Sequence, residues 1–171
     1  MRNFFILGLL FFFCGSVVFA ASDLRCLPGP IKTQNKNIVL PGSDENHPVV
    51  YFLHNISKQS IWVDHPSDKK GTAHAGWSSY IQPDKWSALL LNRKGFAISC
   101  GVIEPGKVIY QNCASVLSVC TTPLTVNAKR KGSYWLVENE IWDNVMPALE
   151  KRGVISNQPT PSHNHTHDKS D

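Results

Sequence analysis

The sequence lacks the marks of several functional classes. It contains no HExxH motif and no GxSxG motif, which are the local patterns of zinc proteases and of serine hydrolases. Its basic residues are dispersed, apart from three in a row at residues 129–131, whereas nucleic-acid-binding domains cluster them in a patch or stripe. Beyond residue 20 no apolar run reaches the roughly 20 residues that cross a bilayer. We therefore expect no nucleic-acid partner and no membrane-spanning helix.

The one long apolar run lies at the N-terminus. Residues 4–19 follow Arg2 and lead into small residues, which is the tripartite pattern of a secretory signal peptide. The run is too short to span a bilayer, and no basic stop-transfer cluster follows it. Lipidation of Cys14 is disfavoured because a bulky residue precedes it. We predict a signal peptide over residues 1–20, cleaved before Ala21, and a periplasmic or secreted mature protein.

The mature chain keeps four cysteines, Cys26, Cys100, Cys113 and Cys120. An even number in an exported chain predicts two disulfides, for which three pairings exist. The alternative of a metal site fits poorly, because the last three cysteines lack the two-residue gaps of zinc knuckles. The turn signal Pro105-Gly106 predicts a hairpin that brings Cys100 to Cys113. That pairing leaves Cys26 for Cys120.

Short β-branched and aromatic runs recur along the mature chain with proline and glycine between them. They predict a mainly β fold, a small disulfide-bonded β-sandwich or barrel. Residues 54–59 are interpreted as a hairpin loop between two of these strands. Residues 141–149 show helical spacing, and Pro147 predicts that this one short C-terminal helix starts or kinks there. The predicted strands cover residues 37–40, 49–53, 60–63, 77–81, 86–91, 96–100, 108–110, 116–120 and 134–137.

The mature length fits one domain, which we place at residues 21–155. Residues 156–171 are polar and contain no aliphatic side chain, so they are predicted to form a disordered tail. His163, His165 and His167 alternate in this tail and are weak candidate ligands for zinc, copper or nickel. Because a tail supplies no fixed geometry, such binding is unselective, and no cofactor is predicted.

The candidate functional residues lie in residues 51–91, which hold three of the five tryptophans and three of the seven histidines. Residues 64–76 show no strand or helix pattern, and loops of this length are usually functional or disordered. Trp62 and Trp86 lie inside apolar strands and are predicted to be core. The candidate binding residues are Asp64, His65, His74, Trp77 and Tyr80.

Two chemistries compete for these candidates. Asp64, His65 and His74 could converge with His54 as a zinc or acid–base site, but no fixed ligand spacing supports an enzyme. Exposed aromatic side chains such as Trp77 on a β scaffold can stack on sugars or anchor a protein partner. The sequence favours a binding module over an enzyme.

Four segments of the chain form a recognisable pattern: H-N-x-S-x-x-x-x-W-x-x-H-P at residues 54–66, A-G-W-S-S at residues 75–79, W-S-A-L at residues 86–89 and the cysteines at residues 100–120. This pattern resembles the EnhB branch of the bacterial enhanced-entry proteins. It implies an exported protein of an intracellular Gram-negative pathogen, associated with host-cell entry or intracellular survival. It also implies envelope or host proteins as partners, other enhanced-entry proteins among them, and it supplies no catalytic residues.

The leading hypothesis is therefore an exported binding module that acts by protein contacts through the 64–77 loop and its neighbours. One alternative is a metal-dependent or hydrolytic envelope enzyme centred on His65 and His74. The other is a module that binds sugar or peptidoglycan through Trp77.

Overall fold

A computed structural model describes residues 26–42, 47–65 and 78–159. These residues are mainly β, as the sequence predicts, and every pair of strands among them is antiparallel. The elements in chain order are β1 (Leu27–Pro28), β2 (Lys32–Gln34), β3 (Asn37–Leu40), β4 (Val49–Asn55), β5 (Ile61–Asp64), β6 (Ser79–Ile81), β7 (Trp86–Asn92), β8 (Phe96–Glu104), β9 (Lys107–Gln111), α1 (Cys113–Val116), β10 (Leu117–Thr121), β11 (Leu124–Val126), β12 (Gly132–Glu140), α2 (Trp142–Lys151) and β13 (Ile155–Pro159).

The strands form two main sheets. The first sheet has the order β1-β10-β4-β7-β12, and the second has the order β2-β3-β8-β5-β6 with β9 added to β8. Gly101 of β8 pairs with both Trp62 of β5 and Tyr110 of β9. Since a strand has only two edges, β5 and β9 lie on opposite sides of β8. A separate pair joins β11 to β13.

The two sheets pack face to face around one hydrophobic cluster. Tyr51 and Leu53 of the first sheet contribute to it, together with Val63 and Ile98 of the second sheet. All four side chains are almost completely buried. The architecture is therefore a β-sandwich, one of the two predicted alternatives, with its core between the sheets.

A second hydrophobic cluster covers the other face of the first sheet. Val50 and Phe52 of β4 alternate with Tyr51 and Leu53, so they point away from the sandwich core, and they pack with Met146 of α2. The β4 strand is buried on both faces. This double burial explains its continuous apolar run, because alternation is expected only where one face meets water.

Helix α2 closes this second cluster. It begins at Trp142, five residues before Pro147, so the expected start at Pro147 is wrong and the proline lies inside the helix. The helix ends in a Schellman motif: Gly153 has φ +65°, and the Val154 amide donates to the Leu149 carbonyl at 2.9 Å. Glycine is favoured here because the left-handed conformation is costly for other residues.

Both predicted disulfides are present. Cys100 is joined to Cys113 across the β8–β9 hairpin, and Cys26 is joined to Cys120. The first bridge is buried in the core between the sheets, and the second lies in the cluster under α2.

The structure corrects three expectations. Residues 54–59 do not form a hairpin loop, because β4 belongs to the first sheet and β5 to the second. A second helix, the single turn α1, follows β9, where Asn112 accepts the Ala114 amide at 3.1 Å as a side-chain cap. Strand β13 includes four residues that we assigned to the tail, and its backbone pairs with β11. No helix in the described part of the chain is long and apolar enough to cross a membrane.

Candidate functional site

The candidate site is the outer face of the second sheet, the face turned away from the sandwich core. Ile61 and Val63 of β5 point into the core, so the alternate residues Trp62 and Asp64 point outward. Residues directly opposite each other in an antiparallel pair share a face. The strand pairings therefore identify the other residues of the outer face. The outer face comprises Trp62, Asp64, Tyr80, Ser99, Gly101, Ile103, Val108 and Tyr110.

Four apolar or aromatic side chains are partly exposed on this face. Tyr80 is 43% exposed, Ile103 and Tyr110 are each 52% exposed, and Val108 is 37% exposed. Large apolar side chains gathered on one exposed face mark interaction sites more often than singly scattered ones do. The outer face is therefore the strongest candidate for a binding surface among the described residues.

An aromatic row crosses four strands of the face. Tyr80 of β6 lies opposite Trp62 of β5, which lies opposite Gly101 of β8, which lies opposite Tyr110 of β9. With neighbouring strands about 4.8 Å apart, Trp62 and Tyr110 are on the order of 10 Å apart across the glycine. Gly101 has no side chain, and a methyl group of Val108 occupies the space that a Cβ would take there.

A polar cluster lies beside the aromatic row. The Ser99 hydroxyl donates to one carboxylate oxygen of Asp64, and the Tyr110 hydroxyl donates to the other at 3.4 Å. Burial, the negative charge of Asp64 and the hydrogen bond to it raise the pKa of Tyr110 above its ordinary value. The phenol is neutral at physiological pH, as an unshifted tyrosine also is, and its hydroxyl is a hydrogen-bond donor.

His65 and His54 do not share a site. His65 follows β5, and its Nδ1 lies 2.7 Å from the Ala97 carbonyl oxygen. His54 lies on the α2 side of the first sheet, where its ring stacks on Trp86 at 4.2 Å and its Nε2 contacts Asp84 at 2.9 Å. Because the sandwich core separates the two rings, the convergence that we considered for His54 is wrong.

The remaining candidates lie outside the described residues: His74, Trp77, His163, His165 and His167. Among residues 26–42, 47–65 and 78–159, no three His, Cys, Asp or Glu side chains form a group that could hold a metal ion. Of the five candidate binding residues, the structure brings Asp64 and Tyr80 to one face, with His65 next to Asp64 in the chain.

Several outer-face residues were missed by sequence reasoning. Trp62 was expected in the core, yet it is half-buried on the outer face, whereas Trp86 packs against the cluster under α2. The alternation Ile61, Trp62, Val63 was a signal that could have corrected this expectation, since the two aliphatic residues face inward. Ser99 and Tyr110 carried no comparable signal, because their roles depend on strand pairing.

The residues Asn55-Ile56-Ser57 match the N-glycan acceptor pattern Asn-x-Ser/Thr, but here the asparagine is part of the fold. Asn55 is completely buried, and its amide nitrogen donates to the carbonyls of Gln59 and Ile81, both at 2.8 Å. Its amide oxygen accepts from the Ser57 backbone and hydroxyl. These bonds tie the end of β4 to β6, so this side chain is not available for a glycan.

Comparisons with protein-family models, with curated proteins and with solved structures give no match.

Proposed function

We propose that the protein is an exported binding module that acts by protein contacts, and that the outer face makes those contacts. The observation that carries the proposal is the grouping of four partly exposed apolar side chains on one face, while the corresponding face of the first sheet is covered. Tyrosine is enriched at the centres of protein interfaces, because it offers a large rigid surface and one polar group. Tyr80 and Tyr110 supply such groups here.

Export is supported by the two disulfides. Structural disulfides form and persist in oxidising compartments such as the periplasm, and the N-terminal pattern of residues 1–20 agrees with that location. The partners follow from the resemblance to the enhanced-entry proteins, which points to envelope or host proteins and to a role in host-cell entry or intracellular survival. Asp64 adds a negative charge at the edge of the aromatic row, which favours a partner with a basic or hydrogen-bond-donating group there.

A sugar chain is the second candidate, favoured by the aromatic row with the Asp64–Ser99 pair beside it. Sugar rings stack on aromatic side chains, while hydroxyl groups bond to neighbouring carboxylates. Retention of the purified protein on peptidoglycan, lost in Trp62→Ala, would favour this candidate over protein contacts. The contact of His65 Nδ1 with the Ala97 backbone carbonyl ties the ring to β8 and does not favour the enzyme alternative.

The test uses two isoleucines of nearly equal exposure. Ile103 is 52% exposed on the outer face, and Ile56 is 53% exposed in the loop after β4. Each would be changed to serine, and the two variants would be compared with wild type in quantitative copurification from envelope extracts. The stability of both variants should stay within about 0.5 kcal/mol of wild type.

We expect Ile103→Ser to lose most of the partner protein and Ile56→Ser to retain it. Equal recovery of the partner with both variants would contradict the proposal, and so would a wild-type protein that purifies alone.

A further inference from the structure

Strand β9 lies at an edge of the second sheet. It pairs with β8 along one side, and no other strand pairs with it among the described residues. Four of its five residues are exposed, and the fifth, Gln111, is half-buried. An unpaired strand edge presents backbone N–H and C=O groups that can pair with another chain.

The register of the hairpin identifies which backbone groups are free. The two-residue turn at Pro105-Gly106 places Glu104 opposite Lys107 as a hydrogen-bonded pair. Hydrogen-bonded and non-hydrogen-bonded pairs alternate along an antiparallel ladder. Val108 and Tyr110 therefore direct their N–H and C=O groups away from β8, toward the open edge.

The side chains of β9 are apolar on both faces. Val108 and Tyr110 lie on the outer face, while Ile109 points to the opposite face and is itself 37% exposed. Exposed edge strands usually carry charges that prevent pairing, but Lys107 is the only charged residue of β9. Its amine lies 3.4 Å from Glu104 of the same hairpin.

The sequence of β9 is complementary to itself. In an antiparallel pair centred on Ile109, all five residues of each strand find a partner: Val108 faces Tyr110 of the second copy, and Lys107 faces Gln111. β-Branched and aromatic residues form favourable cross-strand pairs. Like charges do not face each other, because the two lysines lie at opposite ends, about 14 Å apart at 3.4 Å per residue.

We propose that two copies of this chain associate through their β9 strands, in an antiparallel pair centred on Ile109. The pair joins the second sheets of the two copies into one continuous sheet. Both outer faces lie on the same side of that sheet. Because a five-residue strand buries less surface than a standard interface, the dimer should depend on concentration. The proposal concerns the strand edge and stands independently of what the outer face binds.

The experiment measures the mass of the purified protein by light scattering over a range of concentrations. Ile109→Lys places two like charges directly opposite each other, and the control Ile103→Lys places the same charge one strand away, on a more exposed residue. A second pair of variants, Ile109→Cys and Ile103→Cys, is oxidised in air. At the twofold centre the Cα atoms of residue 109 are about 4.5 Å apart, within the range for a disulfide.

We expect the wild type and Ile103→Lys to approach twice the chain mass at high concentration, and Ile109→Lys to keep the single-chain mass. Ile109→Cys should form a covalent dimer, and Ile103→Cys should not. A wild-type protein that remains monomeric at every concentration would overturn the proposal. This holds even if the β9 edge of the monomer binds an extended peptide of another protein. Equal cross-linking at positions 103 and 109 would overturn it as well.

Discussion

The two sheets carry similar strands but meet different surroundings on their outer sides. In the first sheet, Phe52 points outward and is completely buried under α2. In the second sheet, Tyr80 and Ile103 point outward and remain about half exposed. The difference shows that outward-pointing apolar residues of the first sheet stabilise the fold, whereas outward-pointing apolar residues of the second sheet contribute little burial. Changes to the two sheets should therefore separate stability from binding.

The largest expected effect is removal of the Cys26–Cys120 disulfide, which ties the N-terminal arm to the first sheet. The bridge closes a loop of 94 residues, whereas Cys100–Cys113 closes one of 13. Loop-closure entropy predicts losses of about 4 to 5 kcal/mol for Cys26→Ala/Cys120→Ala and about 3 kcal/mol for Cys100→Ala/Cys113→Ala. Urea unfolding of the two double variants checks the order. A larger loss for the shorter loop would show that packing of the buried Cys100 and Cys113 matters more than loop length.

The next largest expected effect is the loss of stability when an aromatic residue is removed from each sheet. Phe52 is completely buried and contacts the edge of Trp142 at 5.3 Å between ring centroids, so Phe52→Ala should cost about 3 to 5 kcal/mol. Tyr80→Ala removes a half-exposed ring and should cost less than about 1 kcal/mol. Both values come from the free energy of unfolding in urea. Similar losses for the two variants would contradict the contrast between the sheets.

A smaller effect is expected at the glycine that ends α2. Gly153 has φ +65°, and open space surrounds the position of an added Cβ, so Gly153→Ala should cost about 1 to 2 kcal/mol through backbone conformation alone. Gly106, with φ +79° in the β8–β9 turn, is equally open and serves as the matched control in the second sheet. Thermal unfolding measures both losses. A neutral Gly153→Ala would show that the Schellman motif does not limit stability.

The smallest effect is a titration shift that compares a core tyrosine with an outer-face tyrosine. Burial raises the pKa of Tyr51 to about 12, and burial together with Asp64 raises that of Tyr110. Because both folded-state pKa values exceed the unfolded value near 10, stability is unaffected below about pH 10 and falls as the pH rises toward 12. Asp64→Asn should lower the pKa of Tyr110 part of the way toward its ordinary value and leave the pKa of Tyr51 unchanged. The absorbance of tyrosinate measures both pKa values.

In that titration Tyr51→Phe identifies the late-titrating group, since Tyr51 donates to the Pro41 carbonyl inside the fold. An Asp64→Asn curve identical to the wild-type curve would show that Asp64 does not act on Tyr110.

The sequence predicted a β-sandwich or barrel and the Cys100–Cys113 bridge because hydrophobic periodicity and turn residues are local signals. The Cys26–Cys120 bridge followed by elimination, since those two cysteines remained. It misplaced residues 54–59 as a hairpin, since two consecutive strands can enter different sheets without any local sign. Asp64 and Tyr80 were found as candidates, but their partner Tyr110 was not. Tyr110 reaches Asp64 only through the pairing of three strands. The sequence of any one segment does not determine such long-range register.

Binding through the outer face can be measured by site-specific photocross-linking in intact cells. A photoreactive residue would replace Tyr80, which is 43% exposed on the outer face, or Ile141, which is 44% exposed before α2. Position 80 lies on β6, away from the β9 edge, so pairing of two copies does not place it at their contact. We expect an adduct with a different protein at position 80 and none at position 141. Equal adducts at both positions, or an adduct at position 141 alone, would contradict it.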